Sequence, residues 1–413
     1  MSTQEQTATT PWLGHERGSA GYRRTAVALF AAGVATFAQL YSVQAVLPGL
    51  AAGLHLDASD AALGVSVATG ALAVSVVGWS AVADRLGRVP AMVVSVVLAT
   101  ALGFAVPLAG SLGPLLVLRA LQGAALGGLP AVAMAFLAEE VHARHVALAA
   151  GAYVSGNSVG GLTGRIVSST VADVLGWRWG VAAVAVVGLV ATVLFCAVVP
   201  RARGFVRHRA SGSGPGLLAR VREALSQPRL LVLYAQALLL MGAFVTIYNY
   251  LGFRLLAAPF SLSQTVVGLL FVVYLAGTAS SSLAGRLAVH GRLRVLLGSA
   301  AVFALGCLLT LSSSVLVVVG GLVLLTAGFF AAHAVASGWV GASAAPRIRA
   351  QASALYTFAY YAGSSVVGWL GGFAFGDGGW GVVVAVVVAL VAGAAALAAL
   401  GLRGRTPTGT VVA

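Results

Sequence analysis

Apolar stretches of about twenty residues follow one another along almost the whole chain, separated by short segments with polar, glycine or proline residues. A helix needs roughly 20 apolar residues to cross the hydrocarbon core of a lipid bilayer, so each stretch predicts one membrane-spanning helix. The composition agrees, because 60% of the 413 residues are hydrophobic and only 8% are charged. The sequence therefore predicts an all-α integral membrane protein and excludes a water-soluble domain.

The predicted spans fall into two groups of six on either side of a hydrophilic segment that is typical of a linker. The spans are 24–47, 60–82, 90–109, 114–138, 146–172, 179–199, 229–252, 263–285, 293–312, 315–341, 350–373 and 379–402. The predicted organisation is a tail at 1–23, a six-helix bundle at 24–200, a linker at 201–228, a second six-helix bundle at 229–402 and a tail at 403–413.

The two predicted bundles share a sequence repeat. A shift of 203 residues (347 − 144) superimposes Arg144 on Arg347, Tyr153 on Tyr356, Gly160 on Gly363, and Gly176-Trp177 on Gly379-Trp380. Two parallel six-helix bundles are typical of transporters that bind substrate midway between the halves. We therefore expect twelve transmembrane helices in two pseudo-symmetric bundles.

Arginine placement predicts the orientation, because cytoplasmic loops retain positive charge. Of the 24 basic residues, all but Arg119, Arg165, Arg178 and Arg254 fall in the tails, the linker or the loops on one side of the predicted membrane. Both termini are therefore expected in the cytoplasm. The net charge of +14 follows from this topology, so no nucleic-acid partner is expected.

The loop between the second and third spans carries three charges within the stretch 78–90. Its core, Asp84-Arg85-x-Gly87-Arg88, resembles the loop between helices 2 and 3 of major facilitator superfamily transporters. The resemblance implies a clamp that holds helix ends in one conformation and releases them in another. The second half has a degraded copy at Gly291 and Arg292, with Ala288 at the acidic position. An ordinary positively charged loop is the alternative.

Longer segments resemble one branch of that superfamily, the YnfM-type or acriflavine-sensitivity branch, also described as arabinose-efflux-permease-like. The resemblance lies in Leu-Tyr-Ser-Val-Gln at 40–44, Leu-Ala-Glu-Glu-Val-His at 137–142, and the stretches 151–165, 238–254, 327–337 and 351–356. It implies an inner-membrane exporter that is driven by a proton gradient, without a cofactor, and defines the mechanism better than the cargo.

Glycines recur every fourth residue in the fifth span at Gly156, Gly160 and Gly164, so they line one helix face that Gly161 widens. Such a face allows close helix packing. The stretch 151–165 resembles the glycine-rich motif of antiporters in the superfamily, which implies a sliding gate. Static packing is the alternative.

Ionisable residues inside a membrane are costly and point to function. Arg119 and Gln122 lie one turn apart in the fourth span and match the superfamily's pattern of Arg followed by Gln-Gly. We expect them in the wall of a substrate cavity, with bonds to carbonyls of a neighbouring helix as the alternative. Arg165 is expected to extend outward toward Asp173. In the family fold, spans 1, 7 and 11 line the cavity, and their polar residues are Tyr41, Gln44, Tyr248, Asn249, Tyr250, Tyr360 and Tyr361.

His333 in the tenth span is the first candidate for the coupled proton, because imidazole titrates near neutral pH. Glu139 and Glu140 at the inner end of the fourth span are the others. A core histidine and solvated loop carboxylates are the alternative interpretations. No acidic residue falls near a predicted bilayer midplane, so the cavity should suit neutral or anionic amphiphiles, drugs or sugars better than organic cations.

Enzymatic chemistry has little support in the sequence. Cys196 and Cys307 are isolated within spans, and no phosphate-binding loop occurs. We therefore expect no metal and no enzyme, but a monomeric, proton-coupled exporter of small organic compounds that works by alternating access. An importer of the same fold and a non-transporting receptor or scaffold are the alternatives.

Overall fold

The structure, a computed structural model, describes residues 12–205 and 216–403. Within these two stretches the chain forms sixteen α-helices and no β-strand. The helices are α1 (Ala20–Leu40), α2 (Leu47–Leu54), α3 (Ala58–Leu86), α4 (Arg88–Ala105), α5 (Leu112–Leu126), α6 (Gly128–Glu140), α7 (Val146–Leu175), α8 (Trp177–Val198), α9 (Leu217–Leu225), α10 (Pro228–Leu256), α11 (Gln264–Leu269), α12 (Tyr274–Leu287), α13 (Arg292–Leu309), α14 (Val315–Ser343), α15 (Arg349–Ala362) and α16 (Gly368–Gly401). A π-helical turn, Gly363–Val367, joins α15 to α16.

Ten helical runs in the described part of the chain are long and apolar enough to cross a membrane. The all-α membrane fold is confirmed, but the predicted count of twelve spans is not fully reproduced. One reason is that α7, with 30 residues, is rich in glycine and serine and is not among these ten runs. The second is that Pro346–Gly401 forms one run of 56 residues, which joins two predicted spans; within α16 the helical backbone is interrupted at Gly379, where φ is +64°.

Local signals explain the ends of α3. The helix begins after Asp57, whose side chain accepts a hydrogen bond of 2.7 Å from the N–H of Asp60. This bond and a second one from the Ser59 hydroxyl hold the pKa of Asp57 below its usual value. The helix ends at Gly87, whose φ of +94° suits glycine and few other residues.

Two halves can be distinguished, the first comprising α1 to α8 and the second α10 to α16. Equivalent glycines make equivalent contacts in the two halves. A Cβ on Gly160 of α7 would lie 2.6 Å from the Cα of Val34 in α1. A Cβ on Gly363 would likewise meet the backbone of Leu238 in α10. The sequence repeat therefore corresponds to a repeated helix–helix contact.

The halves meet at the end of the molecule where α1 ends and α3 begins, which we call the distal end. Gln44 donates to Asn249 Oδ1 at 2.8 Å. The Ser365 hydroxyl donates to the Ser66 carbonyl at 2.7 Å, and further bonds join α7 to α11. We call this set of contacts the seal. The bonds of Gln264 to the Ala45 carbonyl and of Thr265 to Asp173 also belong to it.

At the opposite, proximal end, where α1 begins, ion pairs fix the two segments that precede the halves, namely α9 and the residues before α1. The short helix α9 lies in the predicted linker and was not expected, and its Glu223 pairs with Arg347 at 2.7 Å. Glu16 accepts from Arg144 at 3.2 Å. The rest of the predicted linker at 206–215, and the tails at 1–11 and 404–413, lie outside the described residues.

Candidate functional site

A cavity of about 280 Å³ lies between the two halves, on the proximal side of the seal. Helices α1 and α7 of the first half and α10, α12, α14 and α15 of the second half form its walls. Its lining includes Phe37, Tyr41, Asn157, Ser158, Gly161, Arg165, Phe244, Tyr274, Thr278, Phe330, His333 and Tyr360. An apolar, aromatic cavity with a few convergent polar groups is the usual form of a small-molecule site.

Arg165 supplies the positive charge of this cavity and is only 3% exposed. Its Nε donates to Gln44 Oε1 at 2.8 Å, and its Nη1 donates to the Gly161 carbonyl at 2.8 Å. The guanidinium carbon lies 4.3 Å from the ring centre of Tyr41 and 4.9 Å from that of Tyr274. Aromatic faces attract cations at such distances, so the charge is held between rings.

The position of Arg165 corrects the expectation that its side chain reaches outward to Asp173. Asp173 instead accepts from the Thr265 hydroxyl at 2.7 Å as part of the seal. The guanidinium turns inward because Gly161, one turn earlier on α7, leaves room beside the backbone. A Cβ at that glycine would lie 3.2 Å from Nη1. The spacing of Gly161 and Arg165 was the available signal, but it was assigned to helix packing.

Arg119 and Gln122 lie inside the first half and do not line the cavity. Arg119 is fully buried and donates to the carbonyls of Gly64 at 2.8 Å and Gln39 at 3.1 Å, and also to that of Leu40. It therefore binds the carbonyls at the end of α1, where cations are favoured. The expected cavity wall does not include this pair, because the guanidinium of Arg119 binds backbone carbonyls of α1 and α3 inside the first half.

The other cavity candidates lie in several different places. Tyr41 and Tyr360 line the cavity. Gln44 and Asn249 lie in the seal, where Gln44 joins the Arg165 side chain to the second half. The Tyr248 hydroxyl is bonded to Thr326 Oγ1 at 2.7 Å, within the core of the second half. The additional candidates Tyr250 and Tyr361 are buried and do not line the cavity either.

His333 lines the cavity from α14. Its Nδ1 is 3.0 Å from the Tyr356 hydroxyl, and its ring centre is 4.8 Å from that of Tyr360. The imidazole is thus the candidate proton carrier with direct access to the cavity.

The predicted clamp loop is an ion-pair network at the proximal end. Arg88 binds Asp84 at 2.7 Å and Glu139 at 2.9 Å, which joins α3 and α4 to α6. Arg85 lies in the last turn of α3. Glu139 is a member of the network that the motif alone did not identify, because it comes from a distant part of the sequence.

In the described part of the chain, the corresponding loop of the second half keeps the glycine turn but not the ion pairs. Gly291 adopts φ +145°, as the turn requires. Arg292, however, makes no ion pair with any residue that the structure describes. The reason is visible in the sequence, where Ala288 occupies the acidic position.

Glu140 is fully buried and lies next to the network. Its Oε1 accepts from the backbone N–H of Gly204 at 2.7 Å and from that of Arg203. Glu139 and Glu140 therefore bind groups at the proximal end, and neither lines the cavity. Their role in proton coupling stays a prediction.

The glycine face of α7 packs within the first half. Cβ atoms on Gly160 and Gly164 would lie 2.6 Å from the Cα of Val34 and 2.5 Å from the Ala38 carbonyl oxygen, and Gly156 similarly meets the Phe30 backbone. A gate between the halves would place these glycines at the seal. Only Gly161 of the set lines the cavity. The contacts are those of the static-packing alternative.

Metal ligands are not clustered in either described range. No group of three His, Cys, Asp or Glu side chains there could hold a metal ion. Cys196 is exposed and Cys307 is buried, and both are free thiols.

Comparisons with known proteins agree with this architecture. The profile of the Major Facilitator Superfamily matches residues 29–258. The chain is 39% identical over 398 residues to the inner membrane transport protein YnfM of Escherichia coli (strain K12), covering 95% of this chain and 94% of that protein. It is 37% identical to the uncharacterized MFS-type transporter YybF of Bacillus subtilis (strain 168), covering 90% of this chain and 91% of that protein.

Solved structures share the fold at low sequence identity. A bacterial homolog of the human lysosomal transporter Spinster, in an inward-facing and occupied conformation, has a TM-score of 0.77 at 16% identity, over 94% of this chain and 98% of that one. The xylose transporter XylE from E. coli, in a partially occluded inward-open conformation, has a TM-score of 0.70 at 16% identity, over 94% of this chain and 100% of that one.

Proposed function

Because the chain belongs to the major facilitator superfamily, we propose that this membrane transporter exports small organic amphiphiles, neutral or anionic, in exchange for protons. The proposed mechanism is alternating access by rocking of the two halves. An importer of the same fold and a non-transporting receptor are the competing functions. The cavity between the halves is the observation that carries the proposal.

The position of the seal supports alternating access. Its hydrogen bonds close the cavity at the distal end. At the proximal end, the ion pairs of Arg88 with Asp84 and Glu139 lie within the first half, and that of Arg347 with Glu223 joins α9 to the second half. A central site that is closed on one side at a time is what alternating access requires.

The arginine distribution supports a cytoplasmic proximal end. In that orientation the structure corresponds to a cytoplasm-facing state. A background without Cys196 and Cys307 allows the orientation to be measured. We expect Ser226→Cys, which is exposed at the proximal end, to react with an impermeant maleimide only in inside-out vesicles. Ser111→Cys, exposed at the distal end, should react in intact cells. The reverse pattern would contradict the orientation.

Proton coupling is assigned to His333 in this proposal, because it lines the cavity while Glu139 and Glu140 are engaged at the proximal end. The Asp84, Arg85, Gly87 and Arg88 loop is assigned to clamping the closed arrangement of helix ends. The charge of the cavity supports the cargo class, because none of the described residues that line it is Asp or Glu.

The test is transport by the purified protein in proteoliposomes with an imposed pH gradient. Cargo panels should contain neutral, anionic and cationic fluorescent amphiphiles of similar size. We expect gradient-dependent movement of neutral or anionic members and little movement of cations. Movement only in the direction of import would favour the importer. Binding without any net movement, in vesicles whose insertion is verified, would favour the receptor.

A further inference from the structure

Arg165 is a buried positive charge without a negative partner in the structure. Its side chain is 3% exposed, and no carboxylate of the described chain forms an ion pair with it. An unpaired charge inside a membrane protein is costly and needs a compensating interaction. We propose that the compensating group is the cargo itself, an aromatic carboxylate whose anionic group binds Arg165. This inference rests on the proposed function only in placing cargo in the same cavity.

The hydrogen bonds of Arg165 leave it able to receive an anion. A guanidinium has five N–H donors. Two of them are used, one by Gln44 and one by the Gly161 carbonyl. Nη2 makes no hydrogen bond to any part of the chain that the structure describes. The remaining donors match a carboxylate, which guanidinium groups bind with good geometry.

The contacts of Arg165 also hold the guanidinium in place before cargo arrives. Gln44 Oε1 fixes Nε, and the ring centres of Tyr41, Phe271 and Tyr274 lie within 4.9 Å of the guanidinium carbon. A donor that is already oriented loses little entropy on binding. The site is therefore built for one anionic group at a defined position.

The rest of the cavity selects the body of the cargo. Phe244, Phe330 and Tyr360 line the wall on the side of the second half. Rings of this kind stack with other rings in offset or edge-to-face arrangements. A planar aromatic body joined to a carboxylate fits this combination, whereas an organic cation would be repelled by Arg165 and would find no carboxylate among the described lining residues.

The experiment uses 4-benzoylbenzoate as the probe and 4-benzoylbenzamide as its neutral isostere. Affinities are measured by calorimetry at pH 7 with the full-length protein in nanodiscs. We expect the wild-type protein to bind the carboxylate at least about tenfold more tightly than the amide, the size of effect that a charge-assisted hydrogen bond supports. Arg165→Gln should remove this difference and leave amide binding within about twofold.

Arg294→Gln is the matched control, because it removes the same charge from an exposed position at the proximal end of α13. It should keep the wild-type preference. Equal wild-type affinities for the two probes, or a preference that survives Arg165→Gln, would overturn the assignment while leaving the transport proposal intact. Transport failure with retained carboxylate preference would instead count against the proposed function alone.

Photolabelling of the wild-type protein covers the case in which Arg165→Gln does not fold. Irradiated 4-benzoylbenzoate forms covalent adducts with neighbouring C–H bonds, and mass spectrometry locates them. We expect adducts on the lining of the cavity, such as Leu162 or Met241, and stronger competition by unlabelled naphthoate than by the same concentration of naphthamide. Adducts confined to other surfaces, or equal competition, would contradict the proposal.

Discussion

At the scale of single residues, two buried arginines have different roles that only their hydrogen bonds reveal. Arg119 and Arg165 both appear in the sequence as isolated charges in apolar spans. Arg119 gives its donors to backbone carbonyls of α1 and α3 and to Gln122, whereas Arg165 keeps donors available to the cavity. The sequence could identify both as exceptional, but not which one faces the cavity, because that depends on helix rotation within each half.

The first prediction concerns His333, which lies in the cavity wall 3.0 Å from the Tyr356 hydroxyl. If the imidazole carries the coupled proton, His333→Gln should abolish pH-driven transport and preserve exchange of cargo across the membrane, since exchange needs no net change in protonation. Counterflow and gradient-driven flux in proteoliposomes measure the two activities. His290→Gln, at an exposed loop position, is the control. Full gradient-driven flux in His333→Gln would assign the histidine a structural role.

At the scale of helices, the contact of α7 with α1 depends on glycine. The backbones approach so closely that no Cβ fits at Gly160 without displacing Val34. Small residues permit this packing in membranes, where apolar side chains gain nothing by leaving lipid. The same reasoning explains why the glycine spacing could be identified from the sequence, while its partner helix could not.

We therefore expect Gly160→Leu to lower the free energy of unfolding by about 2 kcal/mol or more, since overpacking a tight contact typically costs about 1–3 kcal/mol. Val159→Leu, the matched control on the neighbouring exposed position (44% exposed), should behave as the wild type. Melting temperature and yield after detergent extraction measure the difference. A Gly160→Leu protein as stable as the control would indicate that α1 and α7 can separate freely, as a sliding gate would require.

The clamp loop joins three helix ends through the side chain of Arg88. Asp84 is exposed at 67% of its side chain, and exposed ion pairs add little to stability. Asp84→Asn should therefore leave folding and cargo affinity close to wild type. It should slow transport about tenfold or more, the size of effect expected when one contact that stabilises a conformational state is lost. Asp377→Asn, another exposed acid, is the control. Reduced affinity at a normal transport rate would place Asp84 in the binding site instead.

Helix existence was predictable from hydrophobic length, but helix interruptions were not. The fourth predicted span is divided into α5 and α6 at Gly127, and the eighth into α11 and α12. The break at Gly127 is accompanied by close contacts of the neighbouring Gly128 with Ser95 and Trp79. Such contacts arise from tertiary packing, which a single-sequence hydropathy pattern does not contain.

At the scale of the whole molecule, the seal connects the two halves through hydrogen bonds. Gly70 of α3 faces Ser365 of the second half, and a Cβ on Gly70 would lie 3.5 Å from the Ser365 Cβ. This distance falls within the range of disulfide bonds, about 3.5–4.5 Å between Cβ atoms. The halves can therefore be joined covalently at this point.

The double variant Gly70→Cys/Ser365→Cys, in a background without Cys196 and Cys307, should form this disulfide on treatment with iodine. Transport should fall to background and return on reduction, because a locked seal prevents the distal end from opening. Each single variant serves as a control and should keep its activity under iodine. Undiminished transport by the fully crosslinked protein, verified by mass spectrometry, would show that the seal need not open.

The wide turn at Gly363–Val367 has a mechanical consequence for this arrangement. It follows Tyr360, in the cavity wall, and it contains Ser365, whose hydroxyl belongs to the seal. A π-helical turn bonds each residue to one farther along than an α-turn does, and such turns are frequent at functional sites. The cavity wall and the seal are therefore connected through a single irregular turn of helix. If the halves part as proposed, the Ser365 bond can break while Tyr360 keeps its place in the wall, so that opening of the distal end and release of cargo become separate steps.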